Sequence, residues 1–226
     1  MSSFAHAFTF IFHNGEIPGQ PHFPTLAHYT LGTVKVAAIA IALSLILALP
    51  VGLWLGHIHR GSFVAINLGN IGRALPSLAV LAIGVAFLGL GLKNVLLALI
   101  VLAVPPIITN TYVAVDEVDR DVVDAARGSG MNGWQVLTRI ELPLAVPLIM
   151  TGIRTSTLFV ISTTTISALT GYADSLGEIV DNEAGYHLSG VLGAAICIAA
   201  LALLVEALLG WLQWTLTPVA QRRSIT

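Results

Sequence analysis

The chain has 226 residues, 56% of them hydrophobic and 10% charged, with a formal net charge of −2. A soluble domain carries about 25% charged residues, so the composition excludes a soluble globular protein and points to one all-α integral membrane domain. Ten lysines and arginines against twelve acids exclude a nucleic-acid partner, and a single cysteine, Cys197 in an apolar run, excludes a disulfide framework.

No Lys or Arg precedes Lys35, so the first residues lack the basic start of a secretory signal peptide. Phe4, Phe8 and Phe12 recur every four residues, which fits either a short helix lying on the membrane or a loosely ordered tail. Residues 1–27 form an N-terminal segment ahead of the membrane domain, 28–226, and Gly15–Pro24, with Pro18, Gly19, Pro21 and Pro24, reads as loop. Five apolar runs follow, about Thr30–Gly56, Ala74–Leu92, Asn94–Val115, Leu144–Tyr172 and Gly190–Leu216. Each is long enough for about 30 Å of hydrocarbon. His57-x-His59 follows the first run; two histidines without a third or fourth partner are a weak metal pattern, and no metal site is assigned.

Five spans put the two ends on opposite sides. Arg60 and Arg73 follow the first span, Arg120, Arg127 and Arg139 the third, Arg222 and Arg223 the fifth, while the other side offers Lys93 and the acids Asp174, Glu178, Asp181 and Glu183. The positive-inside rule then places the N-terminus outside, the C-terminus inside and the loop over 117–143 in the cytoplasm.

That loop is the longest polar stretch between spans, and it reads as two short helices. Asp121 is placed to cap the first and accept from the amide of Asp124. Ala125 and Ala126 give it a smooth small-residue face, and Gly128 and Gly130 end it. Asn132 with Gln135 forms a capping-box pattern for the second. Pro143 marks the turn into the next span. The stretch resembles the cytoplasmic-loop signature of ABC importer permeases, E-A-A-x3-G-x9-I-x-L-P, with Asp124, Ala125, Ala126, Gly130, Ile140, Leu142 and Pro143 in register and Asp124 replacing the usual Glu. Pro76-Ser77-Leu78-Ala79, Asn110-Thr111-Tyr112, Gly128 to Met131 and Gly152-Ile153-Arg154-Thr155 extend the resemblance to the permeases of glycine betaine/carnitine/choline importers, over roughly His28 to Val180. Gly171 to Gly177 retains only some of that family's glycines.

The resemblance implies a type I ABC importer permease fold with five core spans and a cytoplasmic coupling helix. It also implies a multi-pass protein of a prokaryotic cell membrane that works with a second permease, the same chain or a sister. Two ATPase subunits would dock below, and an extracytoplasmic solute-binding protein would deliver solute above. The chain itself has no phosphate-binding loop, since Lys35 and Lys93 lack the Gly-Lys-Ser/Thr setting. ATP and Mg are therefore expected on the partner, with no catalytic residue and no cofactor here.

The fourth span is rich in hydroxyls. Thr155, Ser162 and Thr165, with Tyr112 of the third span, line a solute pathway on one reading; on the other, Ser and Thr bond their own helix. Tyr112 and Tyr172 are candidates for attracting a quaternary ammonium through their ring faces. Arg154 and Glu206 lie at matching depths, about 15 Å from the inner surface, and are expected to share a salt bridge or polar network, because an unpaired charge there costs roughly 2.5–3.5 kcal/mol. Two further functions fit parts of the pattern. An importer for an amino acid or another small solute would use the same loop, and an ion-coupled secondary transporter would use Arg154 and Glu206 as a charge relay.

Overall fold

The computed structural model describes residues 2–15 and 24–218. These are helices and short connections, with no strand among the described residues. In chain order the helices are α1 (Ser2–Phe12), α2 (Leu26–His57), α3 (Ser62–Ala74), α4 (Ser77–Leu88), α5 (Leu92–Asp116), α6 (Arg120–Gly128), α7 (Gly133–Val136), α8 (Leu142–Ile166), α9 (Leu176–Asp181) and α10 (Glu183–Leu216). A π-helical turn, Leu137–Glu141, joins α7 to α8, and a 3₁₀ turn, Ser167–Thr170, ends α8.

Among the described residues four helical runs are long and apolar enough to cross a membrane: α2, α5, Gly133–Thr170 and α10. A fifth requires α3 and α4 together, which corrects the single helix expected over Ala74–Leu92. The chain breaks at Leu75–Pro76, where Pro76 is extended (φ −65°, ψ 121°). Proline has no N–H to give a helix and disfavours the helical region in the residue before it. The twelve residues of α4 reach about 18 Å, well short of the hydrocarbon thickness.

Two other expected boundaries move. Pro143 does not turn the chain; it sits in the first turn of α8, and the helix runs on from α7 through the π turn. The fifth span begins earlier than Gly190, with a break in α10 at His187 (φ 57°, ψ 170°). At the N-terminus the helical alternative holds, as α1, whose buried side is Ala7 and Phe10 while Phe8 and Phe12 are exposed. The side chain of Phe4 lies outside the described residues, as do 16–23 of the expected Gly15–Pro24 loop and Arg222 and Arg223.

The contacts divide the chain into two compact units, 1–42 with 75–101 and 157–205, and 43–74 with 102–156 and 206–226. In the first, Phe10, Tyr29, Leu176, Ile179 and Tyr186 form a buried cluster. The Tyr29 and Tyr186 hydroxyls are 3.1 Å apart, and Phe10 meets Tyr186 edge to face at 6.2 Å between ring centres. Thr33 Oγ1 accepts from the Leu176 amide at 2.9 Å and donates to the Tyr29 carbonyl at 2.9 Å, pinning α9 to α2.

In the second unit α5 is the hub. A Cβ at Gly52 or Gly56 of α2 would stand 2.7 Å from Thr111 or Val115; one at Gly72 of α3 would be 2.6 Å from Pro105, and one at Gly152 of α8 2.6 Å from Asn110. Lipid supplies no hydrophobic drive between helices, so close backbone approach through small residues does the packing. Thr109 Oγ1 adds a 2.7 Å bond to the Ala65 carbonyl of α3.

Candidate functional site

The polar loop between α5 and α8 lies within the second unit and folds on itself. Asp119, not Asp121, caps α6: its side chain accepts from the Asp121 amide at 2.9 Å. The helix therefore begins earlier than expected, and Asp121 sits in its first turn, where a negative charge meets the positive helix end. At the other end the Met131 amide donates to the Ala126 carbonyl at 3.2 Å and the Gly130 amide to Arg127 at 2.9 Å. With Gly130 at φ +86° this is a Schellman closure, and it requires the residue that tolerates a left-handed backbone. The Asn132–Gln135 capping box forms as expected, with its two bonds at 3.0 and 2.9 Å.

Val118, Val123, Ala126 and Val136 make a small buried cluster, flanked by Met131, Ile140 and Leu144. The seven signature positions therefore divide by direction. Ala126 and Ile140 face this cluster, Leu142 packs against the cluster of Ala114, Val115, Ala145 and Ile149, and Pro143 is half-buried. Gly130 makes the turn, and Asp124 and Ala125 point outward. The expected common face of Ala125 and Ala126 does not exist, because successive helix residues are about 100° apart. Outward with Ala125 are the exposed apolar side chains of Val122 and Trp134.

The two histidines of His57-x-His59 go to two different carboxylates. His57 Nδ1 is 2.6 Å from Glu141 Oε2, and His59 Nδ1 is 2.8 Å from Asp116 Oδ1. No group of three metal-ligating side chains occurs among the described residues. Glu141 occupies the free position of the I-x-L-P segment, so the signature gave no reason to single it out.

Arg154 and Glu206 form an ion pair. Arg154 Nη1 also donates to Gln213 Oε1 at 2.6 Å, and Gln213 Nε2 donates to the Pro147 carbonyl at 2.9 Å. Gln213 went unnoticed in the sequence, although Glu206, Gly210 and Gln213 follow the i, i+4, i+7 spacing of one helix face. The guanidinium lies over Gly210, where a Cβ would make only an ordinary contact, 3.7 Å from its central carbon.

The hydroxyls of Thr155, Ser162 and Thr165 donate to the carbonyls of Thr151, Leu158 and Ile161 at 2.9, 2.9 and 3.3 Å. That is the backbone-bonding pattern of hydroxyls in membrane helices. Tyr112 and Tyr172 are both buried. Burial, and then the charge of Asp174, pushes the Tyr172 hydroxyl above the usual phenol range. Burial, and then Asp181, likewise raises the Glu178 carboxyl.

Long apolar helices with a self-packed polar loop between α5 and α8 define a multi-pass membrane protein of the transport class. The chain belongs to the family of binding-protein-dependent transport system inner membrane components, whose model matches residues 40–216. It is 35% identical over 190 residues to the carnitine transport permease protein OpuCB of Listeria monocytogenes, covering 84% of this chain and 87% of that protein. It is 34% identical over 184 residues to the glycine betaine/carnitine/choline transport system permease protein OpuCB of Bacillus subtilis (81% and 84%), and 32% identical over 219 residues to the choline transport system permease protein OpuBB of the same species (96% and 97%). The fold is also that of the inward-facing MetNI methionine ABC transporter, at a TM-score of 0.73 and 19% identity over 85% of this chain and 96% of that one. The chain is thus a permease subunit of an ABC importer, and the secondary-transporter reading falls away.

Proposed function

We propose that this permease carries a small quaternary-ammonium osmoprotectant of the glycine betaine, carnitine or choline kind. The observation that carries the reading is the 30–35% identity, over most of the chain, to several permeases named for those solutes. The partners follow from the importer class: a second permease, two ATPase subunits that hold ATP and Mg, and an extracytoplasmic binding protein. Residues 28–226 serve as the membrane domain, with 1–27 and the N-terminus outside and the C-terminus in the cytoplasm.

In this reading the outward face of the loop, Asp124 and Ala125 with Val122 and Trp134, docks on the ATPase. Gly130, Ile140, Leu142 and Pro143 hold that face in place with the buried Ala126. The small Ala125 side chain allows close approach, so Ala125→Arg should abolish co-purification of the ATPase while the permease still inserts. Tyr112, Thr155, Ser162 and Thr165 remain the pathway candidates; the hydroxyls, although donating to their own helix, keep lone pairs that can accept.

The deciding experiment is uptake by the reconstituted transporter in proteoliposomes with ATP and binding protein. Concentrative uptake of labelled glycine betaine, carnitine or choline is expected. Uptake of an amino acid alone would overturn the solute and keep the importer. Orientation is read in a Cys197→Ala background: a cysteine at the exposed Ser129 should label only from the cytoplasm, and one at the exposed Asp181 only from outside.

A further inference from the structure

The last residue of α2, His57, is wedged against the loop's second helix. Its Nδ1 meets Glu141 Oε2 in the π turn at 2.6 Å. Its Nε2 lies 3.2 Å from where a Cβ on Gly133 would stand, at the first residue of α7. The ring therefore touches both the start of α7 and the turn that follows it. The side chain of Glu141 is only 1% exposed, and its other oxygen, Oε1, is buried with no hydrogen-bond partner among the described residues. Two residues on from His57, His59 reaches Asp116, the last residue of α5, at 2.8 Å. The end of α2 is thus tied to the polypeptide on both sides of the loop.

Packing alone does not call for a carboxylate here. Ile140 and Leu142 on either side of Glu141 are apolar, and a well-packed apolar residue commonly replaces a buried ion pair at no cost in stability. What the hydrogen-bonded pair adds is direction: a short hydrogen bond fixes the orientation of two elements, where apolar contact lets them slide.

We propose that His57 and Glu141 are positioning residues for transport: their bond is the joint through which a displacement of the coupling helix reaches the first membrane span, with His59–Asp116 steadying it. The proposal rests on the reading that the outward face of this loop docks the ATPase.

The test uses the complete reconstituted transporter and reads solute imported per ATP hydrolysed. The double variant His57→Leu with Glu141→Leu fills the site with apolar side chains and leaves no buried charge. It should assemble with the ATPase as the parent does, yet its transport ratio should fall about fivefold or more, the lower end for energetic coupling between two sites. His57→Asn, whose amide nitrogen overlays Nδ1 and can still donate to Glu141, should keep most of the ratio. An unchanged ratio in the double variant overturns the proposal. So does loss of assembly in the double variant, since the pair would then serve folding alone, and so does an His57→Asn ratio as low as that of the double. Ala125→Arg, run in parallel, tests the docking reading separately. If it binds ATPase and transports normally, docking is wrong whatever the His57 variants do.

Discussion

Two polar constructions in the same unit handle charge differently. Arg154 and Glu206, each with 31% of its side chain exposed, share their pair with Gln213, which is itself anchored on the Pro147 carbonyl. His57 and Glu141, at 18% and 1%, rely on a single bond. The first is a network around a permanently charged guanidinium: if Glu206 or Gln213 is lost Arg154 keeps another partner, and Gln213 keeps the Pro147 carbonyl if Arg154 is lost, while Glu206 has Arg154 as its one partner among the described residues. The second stands or falls on one contact. The network suits a role of holding two helices together through every state; the single contact suits a junction on which force is exerted.

The largest expected effect comes from removing the permanent cation. Arg154→Met leaves Glu206 without its partner and should cost about 2–3 kcal/mol, below the usual figure for a buried pair because a third of each side chain is exposed. It is read as a lowered midpoint of thermal unfolding in detergent. Arg154→Met with Glu206→Gln should lose less than Arg154→Met alone; simple additivity would show that the two charges act independently. Gln213→Leu comes next, at about 1 kcal/mol for one lost hydrogen-bond partner. A loss as large as that of Arg154→Met would make Gln213 the centre of the network and reverse the contrast drawn above.

His59→Ala should cost no more than about 0.5 kcal/mol, since the His59–Asp116 pair is partly screened by solvent. A larger cost would mean that the two histidine pairs share the load equally. The smallest effect is a slope with pH at Glu178, an acid with no ion pair among the described residues. Its folded carboxyl holds its proton above the ordinary glutamate range, so the folded state binds more protons than the unfolded one in that window. Stability should therefore decline as pH rises through the raised value and be restored below it. Glu178→Gln should flatten that slope in unfolding measured across mildly acidic pH.

Much of this was legible in the sequence, because hydropathy and capping act locally. The long spans, the Asn132–Gln135 box and the glycine end of α6 each follow from residues near one another in the chain. The depth match of Arg154 and Glu206 was legible too, since helical rise is constant. What escaped depended on competition or on distance. Asp116, Glu117, Asp119 and Asp121 are all acids near the start of α6, and only the three-dimensional path selects Asp119 as its cap. Ala125 and Ala126 read as one small face because composition carries no azimuth. Pro76 did announce the break before α4, but the continuous apolar run around it masked the signal. Glu141 was invisible because its partner lies 84 residues away.

The π turn at Leu137–Glu141 has a consequence for insertions and deletions. A π turn holds one residue more than the α-helix it interrupts, and each residue of an α-helix advances the azimuth by about 100°. Deleting one residue from this turn would restore regular winding and leave everything before it near its present bearing relative to α8, because the wider turn already absorbs the extra residue. Inserting a residue into the regular helix of α8 just beyond the turn would instead swing Trp134 and the capping box by roughly that angle, with their local structure intact. The π turn is thus where the chain tolerates a one-residue deletion, and the same change of length in the α-helix beside it should do more harm than most substitutions.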